Sequence, residues 1–375
     1  MATHRVQWAA PGGEGKHAMP PIRLLDLGLV SAVRSQTSWH AVAYAMDAAT
    51  PDTIMLVSTD QPYVCVGFHQ EIEKEVDLDY CQGHGLPVLR REVGGGAVYL
   101  DSGQVFTQWV FHRRALPADV GERFRLYVRP LVDTYQALGV NATYRPINDV
   151  HVDGRKIGGT GAASIGEAEV VVGSLMFDFD FEVMARVLKV SSEKMRDKIY
   201  QSLKEYMTTL TRQLGSRPDR DVVKRLYVDQ CAKVLGREIV PGALSEREMA
   251  MVAELDERSV SDEWLYQKGG LRQRGVKIHE DVRVVESAFK ATGGLVRVTA
   301  RLHQGRIDDI SLSGDFTVVP AFGVAALEQA LRGMSLRRDS LIRRIEEVYR
   351  STNLQSPGLT PADIAHAILA VQEAG

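Results

Sequence analysis

The sequence predicts an α+β fold in two parts, a larger mixed-sheet domain followed by a small α+β domain. Three observations carry that expectation. At 375 residues the chain exceeds what one hydrophobic core usually serves. Up to about Asp178, short apolar runs of strand type are mixed with stretches of helical periodicity. Beyond a charged helical stretch, a second block begins with three strand-like runs and ends in helices.

The elements follow in order. Residues 1–20 contain Pro11, Gly12, Gly13, Gly15 and Pro20 and are expected to be a disordered leader without the apolar run of a secretory signal. A short strand is expected at Arg23–Leu27, then a helix over His40–Ala49 with Ser38 as N-cap, ending before Pro51. Thr53–Ser58 and Tyr63–Gly67 read as strands. Asp77–His84 reads as a helix closed by Gly85, and Leu86–Arg90 as a strand entering Gly94-Gly95-Gly96. Ala97–Leu100 and Val105–Phe111 read as strands joined at Asp101-Ser102-Gly103. Arg123–Leu138 is expected to be helical and to stop at Gly139; Asp153-Gly154 marks a hairpin within 148–157. Ala168–Asp178 is β-rich with an interruption at Gly173, and helices follow over Glu182–Leu188 and Asp219–Leu235. The charged stretch 241–263 carries the boundary, giving a catalytic domain over 21–255 and an accessory domain over 262–375. In the latter, strands are expected at Val276–Phe289, Gly294–Leu302 and Arg306–Leu312, with helices over Ala321–Leu331, over Leu336–Tyr349 and from near Pro361.

Bulk properties exclude several functions. A hydrophobic share of 45 % and a charged share of 25 % are ordinary for a globular protein. The net charge of −3 gives no basic excess for nucleic acid. No run approaches the ~20 apolar residues that span a membrane. The three cysteines, Cys65, Cys81 and Cys231, form no metal-ligand spacing and fit reduced thiols in a cytoplasmic protein. His112, His279 and His303 are scattered and form no ligand pair.

Two segments carry chemistry. In Arg90-Arg91-Glu92-Val93-Gly94-Gly95-Gly96-Ala97-Val98-Tyr99, three consecutive glycines cost backbone entropy. In return they let a ligand approach bare N–H groups, an arrangement suited to anions, and an adjacent arginine can fork onto phosphate. The bland alternative is a tight turn. In Asn148-Asp149-Val150-His151-Val152-Asp153-Gly154-Arg155-Lys156-Ile157-Gly158-Gly159, a lysine beside glycines can neutralise charge that develops when a carboxylate attacks an α-phosphate. Asp149 can share a magnesium ion with phosphate oxygens. Taken singly, Lys156 is better explained as an exposed hairpin lysine and Asp149 as a turn-former.

The pair RRxxGGGAVY and NDVxxxGRKIGG resembles the lipoate-protein ligase family, a branch of the biotin/lipoate ligase superfamily, in its single-chain form with an accessory domain. Tyr63–Gln70 looks like the family's early strand and pocket loop, and Gly294–Thr299, Gly305–Ile307 and Ser313–Phe316 look like its C-terminal domain. The resemblance implies that lipoate or octanoate is activated by ATP with Mg²⁺ to an acyl-adenylate and passed to a lysine of a lipoyl acceptor protein. It implies Lys156 as the catalytic lysine, with Arg91, Gly94, Gly95, Gly96, Ala97, Val98 and Tyr99 on the nucleotide side. Asn148, Asp149 and Gly158 would lie near nucleotide and metal, and Gly67 and His69 near the acyl tunnel. The implied protein is a cytoplasmic monomer meeting its acceptor transiently.

Departures from the family pattern fall at Leu100, before Asp101, where relatives often carry histidine, at Gly158, where many carry serine, and at Ser202–Thr209, which lacks an arginine-rich character. They leave the acceptor open among 2-oxoacid dehydrogenases, glycine cleavage and specialised lipoate-binding proteins of sulfur-oxidising pathways. The alternatives are an ATP-independent octanoyl or lipoyl transferase, which would need a nucleophilic thiol, a biotin ligase, and a non-catalytic binder of lipoyl domains. Arg337, Arg338, Arg343 and Arg344 read as a solvated helix face or a docking surface for an acidic acceptor.

Overall fold

A computed structural model of the protein describes residues 19–269 and 282–372. The expected disorder of the leader and the start of the Val276–Phe289 strand fall largely or wholly outside these residues. The catalytic domain centres on a six-stranded mixed sheet ordered 161–165, 168–176, 104–112, 53–59, 22–30, 239–241. Its middle strands are buried along almost their whole length, because both sheet faces are covered. On one face Ile54, Leu56, Trp109, Phe111 and Val171 pack with Phe124, Tyr127 and Tyr227 of two long helices, Val120–Ala137 and Arg220–Leu235. On the other, Met55, Val110 and Val170 pack with Trp39, Val42 and Ala43 of the helix Ala32–Tyr44.

Two small sheets sit beside this core and carry the two motifs. In one, Tyr63–Val66 lies between Val88–Arg90 and Val98–Leu100, so the glycine loop connects its two outer strands. In the other, Asp149–Val152 lies between Ala142–Arg145 and Arg155–Gly159. The expected hairpin forms, with Asp153 and Gly154 at φ 49° and 79° in the left-handed turn conformation. The C-terminal domain has its own core: an antiparallel sheet of Val282–Ala291, Gly294–His303 and Arg306–Gly314 is covered by the helices Gly323–Leu331, Arg338–Thr352 and Pro361–Leu369.

Three expectations need correction. The first helix runs over Ala32–Tyr44 with Ser31 as its cap, eight residues ahead of its expected start. Half of its ten buried residues are polar, and most of those groups find partners inside: Ser35 and Gln36 hydrogen-bond the Tyr63 hydroxyl and Ser38 the Arg34 carbonyl, while His40 Nδ1 has no partner among the described residues. A search for apolar periodicity therefore lands late. Gly173 does not interrupt its strand, which pairs continuously with Gln104–His112. The helix Glu193–Tyr206 is an element the sequence reading lacks, although Met195, Ile199 and Leu203 recur along it at helical spacing; Arg196 is its one buried residue.

The edge of the main sheet is tied by a buried ion pair. The carboxylate of Asp52 takes Arg237 at 2.5 Å on one oxygen and the backbone N–H of His112 at 2.8 Å on the other. Replacing Asp52 by alanine strands the buried guanidinium, and we expect a loss of roughly 3–5 kcal/mol of unfolding free energy. Urea titration checks this; a loss below about 1 kcal/mol, the range of an exposed pair, would contradict it.

Candidate active site

The glycine loop is shaped by what its backbone must approach. A Cβ on Gly67 would come within 1.9 Å of the Gly95 carbonyl oxygen, and one on Gly94 within 2.4 Å of the Phe316 carbonyl oxygen. Gly95 itself has φ 95°. The loop thus lies wedged between the Gly67 turn and the C-terminal domain.

Arg91 braces it from inside. Its guanidinium donates to the carbonyls of Cys65 (3.1 Å), Gly94 (2.9 Å) and Gly96 (2.8 Å). With those carbonyls turned toward the arginine, the N–H groups of Gly96 and Ala97 have no acceptor among the described residues. That is the arrangement an anion nest requires. Arg90, fully buried, donates to the carbonyls of Gly67, Phe68, Gln70 and Leu265. Burial draws its pKa down to about 10.

The second motif presents Lys156 opposite Asp149. Nζ lies 2.7 Å from the Asp149 carboxylate, and both groups keep partial exposure. Gly159 makes the room, since a Cβ there would meet Nζ at 2.9 Å. Asn148 closes the base of this hairpin: its carbonyl accepts from the Thr160 N–H and hydroxyl, and its amide donates back to the Thr160 carbonyl. Gly158 lies in the same strand, buried against Val150 and the Ser174 carbonyl. On the far side, the Lys156 carbonyl accepts from the Thr208 N–H at 2.9 Å, which anchors the Ser202–Thr209 segment to the lysine strand.

The motifs meet through Val93 and Gly161: a Cβ on Gly161 would stand 3.1 Å from a Val93 methyl. Behind this contact Val93, Met55, Trp39, Val170 and Val172 form one apolar cluster. Among the described residues no cluster of three His, Cys, Asp or Glu side chains could hold a metal. Asp149 offers Mg²⁺ a single carboxylate, which fits an ion completed by phosphate and water.

Tyr99 is buried, its backbone N–H directed to the Met184 sulfur. The structure places Gly67 under the loop and His69 at the seam with the C-terminal domain. The His69 ring stacks on Phe316 at 5.2 Å, its carbonyl accepts from Gly314, and Glu71 next to it bonds Ser313. Sequence reasoning missed that Ser313–Phe316 reaches the loop; those residues carried the family likeness, which was the available signal. It also missed Glu92 as a buried carboxylate, held by Tyr44 and Arg258. All three cysteines are buried. Burial pushes each thiol up, Cys81 to about 11.

Comparison with known proteins agrees with this architecture. Residues 36–232 match the lipoyl protein ligase A/B catalytic domain, and residues 285–368 the bacterial lipoate protein ligase C-terminus. Fold and matched segments together define an enzyme of lipoyl-group attachment. The chain belongs to the lipoyl protein ligase A/B family. It is 27 % identical over 323 residues to a lipoate–protein ligase of Streptococcus pyogenes, covering 82 % of this chain and 89 % of that protein. It is also 27 % identical over 272 residues to the octanoyltransferase LipM of Kyrpidia tusciae, covering 66 % and 98 %. Among solved structures, a bipartite lipoate protein ligase of Thermoplasma acidophilum, studied with its E2 lipoyl domain, superposes with a TM-score of 0.61 at 27 % identity, covering 68 % of this chain and 99 % of that one.

Two buried histidines give the site region a defined pH response. Burial, then the charges of Lys268 and Arg90, draws the His69 pKa down to about 3; burial, then Arg258, holds His40 well below its usual range. Their folded pKa values are depressed, so the stability they contribute is present above the unfolded value near 6.5 and lost as pH falls below it. We expect the urea midpoint to drop steadily from pH 6.5 toward pH 4, less steeply in His69→Asn. Identical slopes in the two proteins would remove His69 from this account.

Proposed function

We propose that the protein is an ATP-dependent lipoate-protein ligase, with residues 21–255 as its catalytic unit and 262–375 as its accessory unit. Lipoate or octanoate is activated to an acyl-adenylate, and the acyl group passes to a lysine of a lipoyl-domain or lipoate-binding acceptor. The observation that carries this reading is the pairing of Lys156 and Asp149 on the strands that lead, through Gly161, to Val93 of the glycine-loop segment, in a chain whose thiols are all buried. A thioester route needs an accessible thiolate, and burial disfavours one at Cys65, Cys81 and Cys231. Relatives of both kinds are similar to this chain, which makes the thiols the discriminating feature.

In this reading the N–H groups around Gly96 and Ala97 receive the nucleotide phosphates. Arg91 holds the loop in register for them, and Val98 and Tyr99 line the nucleotide side. The acyl chain lies among Val93, Met55, Val170 and Val172. Lys156 leaves Asp149 for the reacting carboxyl and α-phosphate oxygens, where its charge offsets the charge building in the transition state. Asp149, with Asn148 beside it, would hold Mg²⁺, which supplies further neutralisation of the phosphates. The acceptor ε-amine then attacks the mixed anhydride and AMP leaves.

The direct test incubates the protein with a lipoyl acceptor domain and lipoate, with and without Mg-ATP, and reads acceptor mass. We expect labelling that requires ATP; labelling only from an acyl-carrier donor without ATP would overturn the ligase reading in favour of a transferase. Lys156→Ala should lower acyl-AMP formation at least about a hundredfold, the loss of a positioned charge on a developing oxyanion, with the melting temperature unchanged. Wild-type adenylate formation by that variant would move the site elsewhere.

A further inference from the structure

The approach strand of the glycine loop is held from outside its own sheet, and the hold comes from the segment that leads to the C-terminal domain. That segment comprises the helices Glu246–Ser259 and Asp262–Leu265. Trp264 Nε1 donates to the Arg90 carbonyl at 3.1 Å, and Arg90 in turn donates to the Leu265 carbonyl. Two residues on, the Glu92 N–H donates to His40 Nε2 at 3.2 Å. The buried Glu92 carboxylate accepts from Tyr44 at 2.7 Å and from Arg258 at 2.5 Å. The Arg258 guanidinium lies over the Trp264 ring at 4.2 Å and the Tyr44 ring at 5.3 Å. It is therefore fixed in place by two aromatic faces as well as by its ion pair.

Glu92 is an awkward neighbour for an anion site. A carboxylate four residues before a phosphate nest repels the phosphates unless its charge is cancelled, and burial strengthens that repulsion. A buried carboxylate without a partner would also pull its backbone out of position to reach water. Arg258 is the cation that answers both requirements. We propose that Arg258 is a positioning residue for the nucleotide half of the site. From the connecting segment it neutralises and anchors Glu92 and so holds the glycine loop competent for ATP. This inference rests on the ligase reading above.

The test compares full-length wild type, Arg258→Gln, Arg258→Lys and the double variant Arg258→Gln/Glu92→Gln. Pyrophosphate release gives KM for Mg-ATP and for lipoate separately, and equilibrium titration gives ATP affinity. We expect Arg258→Gln to raise KM for ATP about tenfold or more, in proportion to an uncancelled charge beside the phosphates, with KM for lipoate nearly unchanged. Arg258→Lys, which keeps the charge and loses the planar fork, should fall between. The double variant should recover most of the ATP affinity, because the repelling carboxylate is gone. A merely structural role predicts the opposite, with both KM values shifting together and no recovery in the double variant, and that result overturns the inference. An Arg258→Gln protein with wild-type KM for ATP overturns it equally. Should Arg258→Gln melt below the assay temperature, the Arg258→Lys and double-variant comparisons decide by the same criteria. A wild-type protein that releases no pyrophosphate with any acid is a separate outcome: it is the failure of the ligase reading, and this inference falls with it.

Discussion

The structure depends on a close approach of bare backbone: Gly67 beneath Gly95, and Gly94 beneath Phe316. No side chain fits at either crossing. The first crossing sets the loop on the central strand of its small sheet, and the second sets the C-terminal domain on the loop. Because backbone rather than side chains meets at both places, the loop has one position and cannot relax by a change of rotamer. The cost in backbone entropy of three glycines is offset by contacts that two arginines make to carbonyls on either side.

Those arginines show how charge is handled here. Arg90 and Arg91 spend their donors on carbonyl oxygens of Cys65, Gly67, Phe68, Gln70, Gly94, Gly96 and Leu265. Guanidinium groups that gather carbonyls turn the intervening N–H groups outward, and outward N–H groups are what an anion meets. The positive potential of the site thus comes from oriented amides with cations behind them, and Lys156 is the one cation of the two motifs that keeps a short side-chain ion pair and partial exposure. A lysine in that state can change partners during a reaction, which a fork sunk among carbonyls cannot.

Much of this was legible in the sequence, for physical reasons that differ by residue. Gly95 and the turn Asp153-Gly154 announce themselves because few other residues favour positive φ, and Gly94 because a Cβ there would strike the Phe316 backbone. The strand Thr53–Thr59 was legible because burial on both faces demands an unbroken apolar run. The helix Ala32–Tyr44 was misplaced because the polar residues Ser35, Gln36, Thr37 and Ser38 are buried in its first half, ahead of the apolar run Ala41–Ala43. Of the three carbonyls that Arg91 engages, that of Cys65 belongs to a strand 26 residues away, which no local pattern announces. Glu92 with Arg258 is a pairing over 166 residues that no local pattern can announce.

The seam between the two domains is built differently from the cores it joins. It mixes contacts of several kinds: His69 stacks on Phe316, Val319 joins the apolar core of the larger domain, and polar links pair Lys74 with Glu286, Glu75 with Arg297 and Glu71 with Ser313. Such pairs exchange for water at small cost where they are exposed, and polar seams are the ones along which domains move. An activated acyl group must be shielded from water and then presented to a lysine on another folded protein. At this seam water can replace the exposed Lys74–Glu286 pair, whereas the buried Glu71–Ser313 bond and the backbone contact at Phe316 hold the loop against the C-terminal domain. The connecting segment is tied instead to the loop itself, through Arg90, Glu92, Arg258 and Trp264. Two anchors therefore fix the glycine loop, one from the C-terminal domain through Phe316 and one from the connecting segment through Glu92.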